Sequence, residues 1–107
     1  MMSIDDLNAV AMKLILHAGN CRENIQLAMQ NLDNIENCEK YLEIANQEIL
    51  LAHRSQTQVI QDTIEENFSP NLLFIHAQDT VMTVNSELIT ARYIFKVYKK
   101  LIDQMKG

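Results

Sequence analysis

Residues 4–32 read IDDLNAVAMKLILHAGNCRENIQLAMQNL, and the spacing of apolar and small side chains along this stretch decides the fold. Ile4, Leu7, Ala11, Leu14, Ala18, Cys21, Ile25, Ala28 and Leu32 follow one another in alternating steps of three and four without a break. Such a heptad rhythm holds one seam of a helix against a neighbour over roughly eight turns. Ser3 followed by Asp6 has the pattern of a capping box, and Asp5 and Asp6 complement the positive end of the helix dipole. The pattern predicts a helix from about Ile4 to Leu32.

Two more seams follow. The polar stretch 31–37 supplies a turn, with Asp33 or Asn34 as N-cap and Glu36 in the first helical turn. Ile35, Cys38, Leu42, Ala45, Ile49, Ala52, Gln56, Val59 and Thr63 then continue the three-and-four spacing, with polar residues at Gln56 and Thr63. A polar residue in a seam either fixes register or lines a cavity, and Gln56 needs hydrogen-bond partners if the bundle closes around it. Residues 67–71, Asn-Phe-Ser-Pro-Asn, break the pattern, with Ser69 expected as N-cap and Pro70 at the first helical position. The third seam is Ala77, Val81, Val84, Leu88, Ala91, Phe95, Tyr98, Ile102 and Met105. Lys96, Lys99, Lys100 and Lys106 gather where the dipole favours cations.

Three helices of about 30 residues, each on the order of 45 Å long and joined by short turns, make an all-α, antiparallel three-helix bundle. At 107 residues, 48% apolar with two Gly and one Pro, the chain reads as one domain over 1–107. Apolar residues beside the seams (Val10, Met12, Ile15 and Leu16; Leu73, Ile75 and Met82) exceed what one thin bundle covers and predict a helical oligomer.

A net charge of −5 argues against binding a phosphate backbone. No apolar run is long enough for a bilayer and Met1 to Asp6 lacks a basic signal start, so a cytosolic protein without membrane insertion is expected. Cys21 and Cys38 fall on seam positions as buried free thiols, because their distances from the turn differ by on the order of 10 Å. Gly19 interrupts a helix at a cost of about 1 kcal/mol relative to Ala, for which close approach of a neighbouring helix is the expected reason. His17 beside it reads as structural.

The chemistry concentrates in Leu73 to Thr83, where His76 and Asp79 share one face of the third helix. The residues three before His17, His53 and His76 are leucines, which excludes a Glu-x-x-His di-metal carboxylate site. There is no Gly-rich phosphate loop, His-Glu-x-x-His motif or Cys-x-x-Cys. Thr80 and Thr83 on the same face, and Gln56 and His53 across the bundle, are the polar residues placed to complete a pocket. Spacing alone still favours an ordinary helical histidine at His76.

Three segments resemble a known family. His17-Ala18-Gly19-Asn20, Ala52-His53-Arg54-Ser55-Gln56-Thr57 and His76-Ala77-Gln78-Asp79 with Met82-Thr83 resemble, in order and spacing, the signatures of the lactose/cellobiose-type enzyme IIA of the phosphoenolpyruvate-dependent sugar phosphotransferase system. The resemblance implies a phosphocarrier in which His76 takes a phosphoryl group on Nε2 from the histidine phosphocarrier protein. It then passes the group to a cysteine of enzyme IIB, while the membrane enzyme IIC selects a β-glucoside-type sugar. Gln78 joins Gln56, His53, Thr80 and Thr83 in the expected pocket. The resemblance further implies a homotrimer in which three copies of Asp79 meet Mg²⁺, or a similar divalent cation, on the three-fold axis; three converging carboxylates need such a counter-charge.

The chain departs from the family pattern after Asp79, where Thr80 and Val81 replace a usual histidine and leucine. This departure supports a second reading, a non-transferring helical regulatory or interaction module on the same scaffold.

Overall fold

A computed structural model describes residues 2–106, so Met1 and Gly107, the two ends of the expected single unit, lie outside the described residues. Three helices account for nearly all of them: α1 (Ile4–Gln30), α2 (Ile35–Glu65) and α3 (Leu72–Lys106), with no strand among the described residues. They pack up, down and up into a rod of 60 × 18 × 17 Å.

Each helix starts where a side chain can take up its first free N–H groups. Ser3 forms the reciprocal capping box with Asp6, and Asn34 caps α2 by accepting from the Asn37 N–H at 3.2 Å. α3 begins later than its sequence suggests. Asn71, not Ser69, is its cap: Asn71 Oδ1 accepts from the Phe74 N–H at 3.0 Å and its carbonyl from the Ile75 N–H at 3.1 Å. The cause is the way α2 ends. Asn67 enters the left-handed region at φ 52°, the Phe68 N–H returns to the Thr63 carbonyl at 2.8 Å, and the Asn67 N–H to that of Ile64 at 3.3 Å. This Schellman closure tucks Phe68 against the core, and Ser69 and Pro70 are spent on the extended link to Asn71.

The core follows the seams. Leu7, Ala11, Leu14, Ala18, Cys21, Ile25 and Ala28 are buried on α1; Cys38, Leu42, Ala45, Ile49, Ala52, Val59 and Thr63 on α2; and Ala77, Val81, Val84, Leu88 and Ala91 on α3. Phe74 extends the α3 seam by a turn at its start. Beyond Ala91 the seam fades, with Phe95, Tyr98 and Ile102 half-buried and Met105 81% exposed. The reason is the length of α1. Asn71 Nδ2 donates to Asn8 Oδ1 at 2.7 Å, and Arg22 grips Glu87 through Nε at 2.9 Å and Nη2 at 2.6 Å. These pairs, 63 and 65 residues apart, set each residue of the parallel α1 level with the one about 64 further on, so α1 runs out near Ile94.

Cys21 and Cys38 are buried free thiols, and burial pushes Cys21 up to about 11. Gly19 corrects its expectation: it is exposed, and a Cβ there would meet nothing within 4 Å, so no helix of the same chain approaches it closely.

Candidate functional site

Asn71 fixes both the start of α3 and its height against α1, and His76 stands on the order of 6 Å further along the axis from Leu72. Phe74 and Ala77 on either side are buried and anchor this turn, while His76 itself is exposed. An imidazole thus stands at the surface on a backbone locked from beneath. The Thr80 hydroxyl donates to the His76 carbonyl at 3.0 Å.

Which side of α3 carries the histidine follows from the Arg22–Glu87 pair. Glu87 marks the α1 side, and counting back in steps of four and three passes Thr83 and Thr80 to reach His76. His76, Thr80 and Thr83 are therefore brought to one side, along the groove between α1 and α3. Above His76 this groove opens to about 670 Å³, lined by Thr83, Ser86, Glu87 and Thr90 of α3 with Ile25 and Met29 of α1. By the same register, Met12 of α1 is level with His76, and Gly19 with Thr83.

Asp79 lies one turn along on the outer face. It interrupts a stripe of exposed apolar residues, Ile75 and Met82 on either side and Ile89 beyond, the last two 62% and 48% exposed. Among the described residues no three His, Cys, Asp or Glu groups of the chain cluster to hold a metal.

The remaining candidates lie apart. Gln78 is half-buried. Gln56 sits in the α2 seam between Ala52 and Val59, and the Met2–Glu66 and His17–Glu48 contacts set α2 against α1 so that Gln56 is level with residues 9–12 of α1 and so close to the height of His76. Its Oε1 is buried without a hydrogen-bond partner, a cost of about 1–3 kcal/mol. His53 lines a shallow hollow on α2 with Leu50, Arg54, Thr57, Gln58 and Gln61, separate from His76. His17 is held by Glu48 at 2.7 Å and ties α1 to α2.

Arg22, Glu87, Glu48 and the Asn8–Asn71 pair position the site and were not singled out from sequence. The signal for Arg22 and Glu87 was their place beside the seam residues Cys21 and Leu88, where opposite charges on neighbouring helices pair. The guanidinium beside Glu87 holds its carboxyl below the ordinary range, and the hydrogen bond raises Arg22 in turn.

The fold is thus an all-helical rod with His76 exposed on a turn of α3 whose neighbours, Phe74 and Ala77, are buried. The family model described as PTS system, Lactose/Cellobiose specific IIA subunit matches residues 9–99, and the chain belongs to this family. It is 30% identical over 103 residues to the lichenan-specific phosphotransferase enzyme IIA component of Bacillus subtilis (strain 168), covering 94% of each chain. To the lactose-specific EIIA component of Staphylococcus epidermidis it is 26% identical over 102 residues, 92% of this chain and 98% of that one. Among solved structures, PtcA from S. mutans superposes with a TM-score of 0.86 at 30% identity over 92% of this chain and 99% of that one. The cellobiose-specific enzyme IIA of Bacillus anthracis gives 0.75 at 30% identity over 100% and 97%. The chain is accordingly a phosphotransferase component of sugar uptake. No helix among the described residues is long and apolar enough to cross a membrane.

Proposed function

We propose that His76 is the phosphoacceptor, loaded by the histidine phosphocarrier protein and discharged to a cysteine of enzyme IIB during uptake of a β-glucoside-type sugar selected by enzyme IIC. The observation that carries this reading is the exposed imidazole on a turn whose neighbours, Phe74 and Ala77, are buried. In the first step the lone pair of neutral His76 Nε2 attacks the phosphorus of the donor phosphohistidine. One N–P bond forms as the donor's breaks, and the donor ring keeps the electron pair. In the second step a cysteine thiolate of enzyme IIB attacks the same phosphorus, an S–P bond replaces the N–P bond, and neutral His76 is restored. Little covalent chemistry is asked of the surroundings, which hold the ring in line and exclude water. Thr80 steadies the His76 backbone, Thr83 lines the groove, and Gln56, Gln78 and His53 complete the pocket within the assembled protein.

Assembly is as a homotrimer. The stripe that Asp79 interrupts supports this: Ile75, Met82 and Ile89 gain burial only against another copy, and a carboxylate among them then requires a counter-charge. Three Asp79 carboxylates fit a hard divalent ion such as Mg²⁺, with water filling its remaining positions. When bound, the ion supplies charge neutralisation on the axis.

Incubation with phosphoenolpyruvate, enzyme I and the histidine phosphocarrier protein should add one acid-labile phosphoryl group to the wild type and none to His76→Gln. An unlabelled wild type overturns the reading in favour of a non-transferring module, and an equally labelled His76→Gln removes His76 as the phosphoacceptor. For the ion, Mg²⁺ should raise the wild-type melting temperature, and chelation should lower it, with neither effect in Asp79→Leu. Identical responses in both proteins would remove Asp79 as a ligand.

A further inference from the structure

α3 outlasts its neighbours. α1 runs out level with Ile94, so the last turns of α3, about 18 Å of helix over residues 95–106, have no helix on that side. Ile94, Val97, Leu101 and Met105 follow one another there in steps of three, four and four, and all are bare, Leu101 53% and Met105 81% exposed. The charge of this segment is also unlike the rest. Residues 92–106 hold five of the nine Lys and Arg and one of the 14 Asp and Glu, a net +4 on a chain whose remainder carries −9. The helix dipole accounts for Lys106 in the last turn, but its influence does not reach back to Arg92, Lys96, Lys99 and Lys100. All five side chains are exposed, and the ion pairs among the described residues, His17–Glu48 and Arg22–Glu87, involve none of them. Asp33 and Glu36 share a hollow with Tyr98, Ile102 and Lys106 on the seam side of α3, not with the other four.

We infer that the end of α3 docks on an anionic lipid surface, with Leu101 and Met105 entering the boundary between headgroups and acyl chains and Lys96, Lys99, Lys100 and Lys106 reaching the lipid phosphates. A helix with an apolar face beside a basic one binds in this way, buried apolar area and attraction to anionic lipid adding together. Lysine suits the second part, because its apolar stem lies along the interface while the ammonium stays in water. Charge decides the occupant. A second copy would bring a segment of the same sign to this pole, whereas a bilayer holding anionic lipid supplies negative charge over the whole footprint. In the homotrimer proposed above three such ends lie at one pole, and three weak contacts with one surface act together. The acidic remainder of the chain is repelled from that surface, so the rod stands on its basic end. His76, on the order of 30 Å along α3 from Lys96, is then held off the lipid within reach of soluble partners, a consequence that rests on the reading of His76 as the phosphoacceptor.

The test is co-sedimentation of the full chain with vesicles of pure phosphatidylcholine and of phosphatidylcholine mixed with phosphatidylglycerol, at physiological ionic strength. The wild type should bind the mixed vesicles at least tenfold more tightly than the neutral ones, and added salt should release it. Lys96→Gln/Lys99→Gln/Lys100→Gln should lose that preference, and Leu101→Gln/Met105→Gln should bind the mixed vesicles severalfold less. All five side chains are exposed and glutamine is a good helix former, so both variants should melt with the wild type and sediment with it in the absence of lipid. Equal binding to the two kinds of vesicle, or undiminished binding by either variant, overturns the inference. A wild type that binds neither vesicle overturns it too, and returns the bare face to another copy or to an acidic protein. Labelling of His76 is read in solution without lipid, so its failure leaves vesicle binding measurable and the two readings fall separately.

Discussion

His76 illustrates how far a single residue can be read. Its place on a helix was legible from spacing, but the side of α3 it occupies, along the α1 groove with Asp79 on the outer face, was not, because that depends on which neighbour Glu87 pairs with. Gln56 was legible as an anomaly in the α2 seam, and its orphaned carbonyl oxygen shows the anomaly persisting in the folded chain. Gln56→Leu removes the unmet acceptor and should stabilise the dissociated chain by about 1–2 kcal/mol in urea unfolding, while slowing phosphoryl transfer. Glu87 carries a pH effect of known sign. Its folded pKa lies below the ordinary 4.5, so its pairing with Arg22 stabilises the fold at neutral pH and is lost as pH falls through the folded pKa. Both groups are more than a third exposed, which keeps the effect under about 1 kcal/mol. Acid titration of wild type and Glu87→Gln should show the stability difference shrinking below about pH 4.5, and a constant difference would remove the pair from the account.

At the scale of elements, the seams of all three helices were legible because burial on one side of a helix imposes its period on the sequence. The starts of α1 and α2 were legible too, since Ser3 and Asn34 do their capping locally. The start of α3 was misread. Ser69-Pro70 has the local chemistry of a helix start, but the Schellman turn at Asn67 and the tie from Asn71 to Asn8 depend on packing that no local pattern displays. Asn71→Ala removes cap and tie together and should cost about 1–2 kcal/mol, whereas Ser69→Ala should cost under about 0.5 kcal/mol. Equal losses in thermal melts would return the cap to Ser69. At Asn67, glycine should be tolerated and valine should destabilise by about 1 kcal/mol or more, because only the β-branched residue resists a positive φ.

For the molecule as a whole, the bundle was legible as a class from three uninterrupted seams, and the surplus of apolar surface was visible beside them. The structure adds where that surplus lies: Met12 and Leu16 on α1, and Ile75, Met82 and Ile89 on α3, flank the two residues proposed for transfer and assembly. A rod only 18 Å across, whose α1 and α2 seams are nearly half small residues, has little interior of its own. Its melting temperature should therefore rise with protein concentration as copies associate, and a midpoint independent of concentration would speak against that.

The parallel pairing of α1 with α3 also dictates an order of events. Asn8 waits for a partner 63 residues away and Arg22 for one 65 away, whereas α1 and α2 meet across a four-residue turn. Closing the shorter loop is entropically easier, so the α1–α2 hairpin should form first and α3 should dock onto it late. Arg22→Ala should then leave the refolding rate nearly unchanged and speed unfolding severalfold in stopped-flow measurements. A chain leaving the ribosome would hold an open two-helix hairpin, its apolar seam bare, until the whole of α3 had been made.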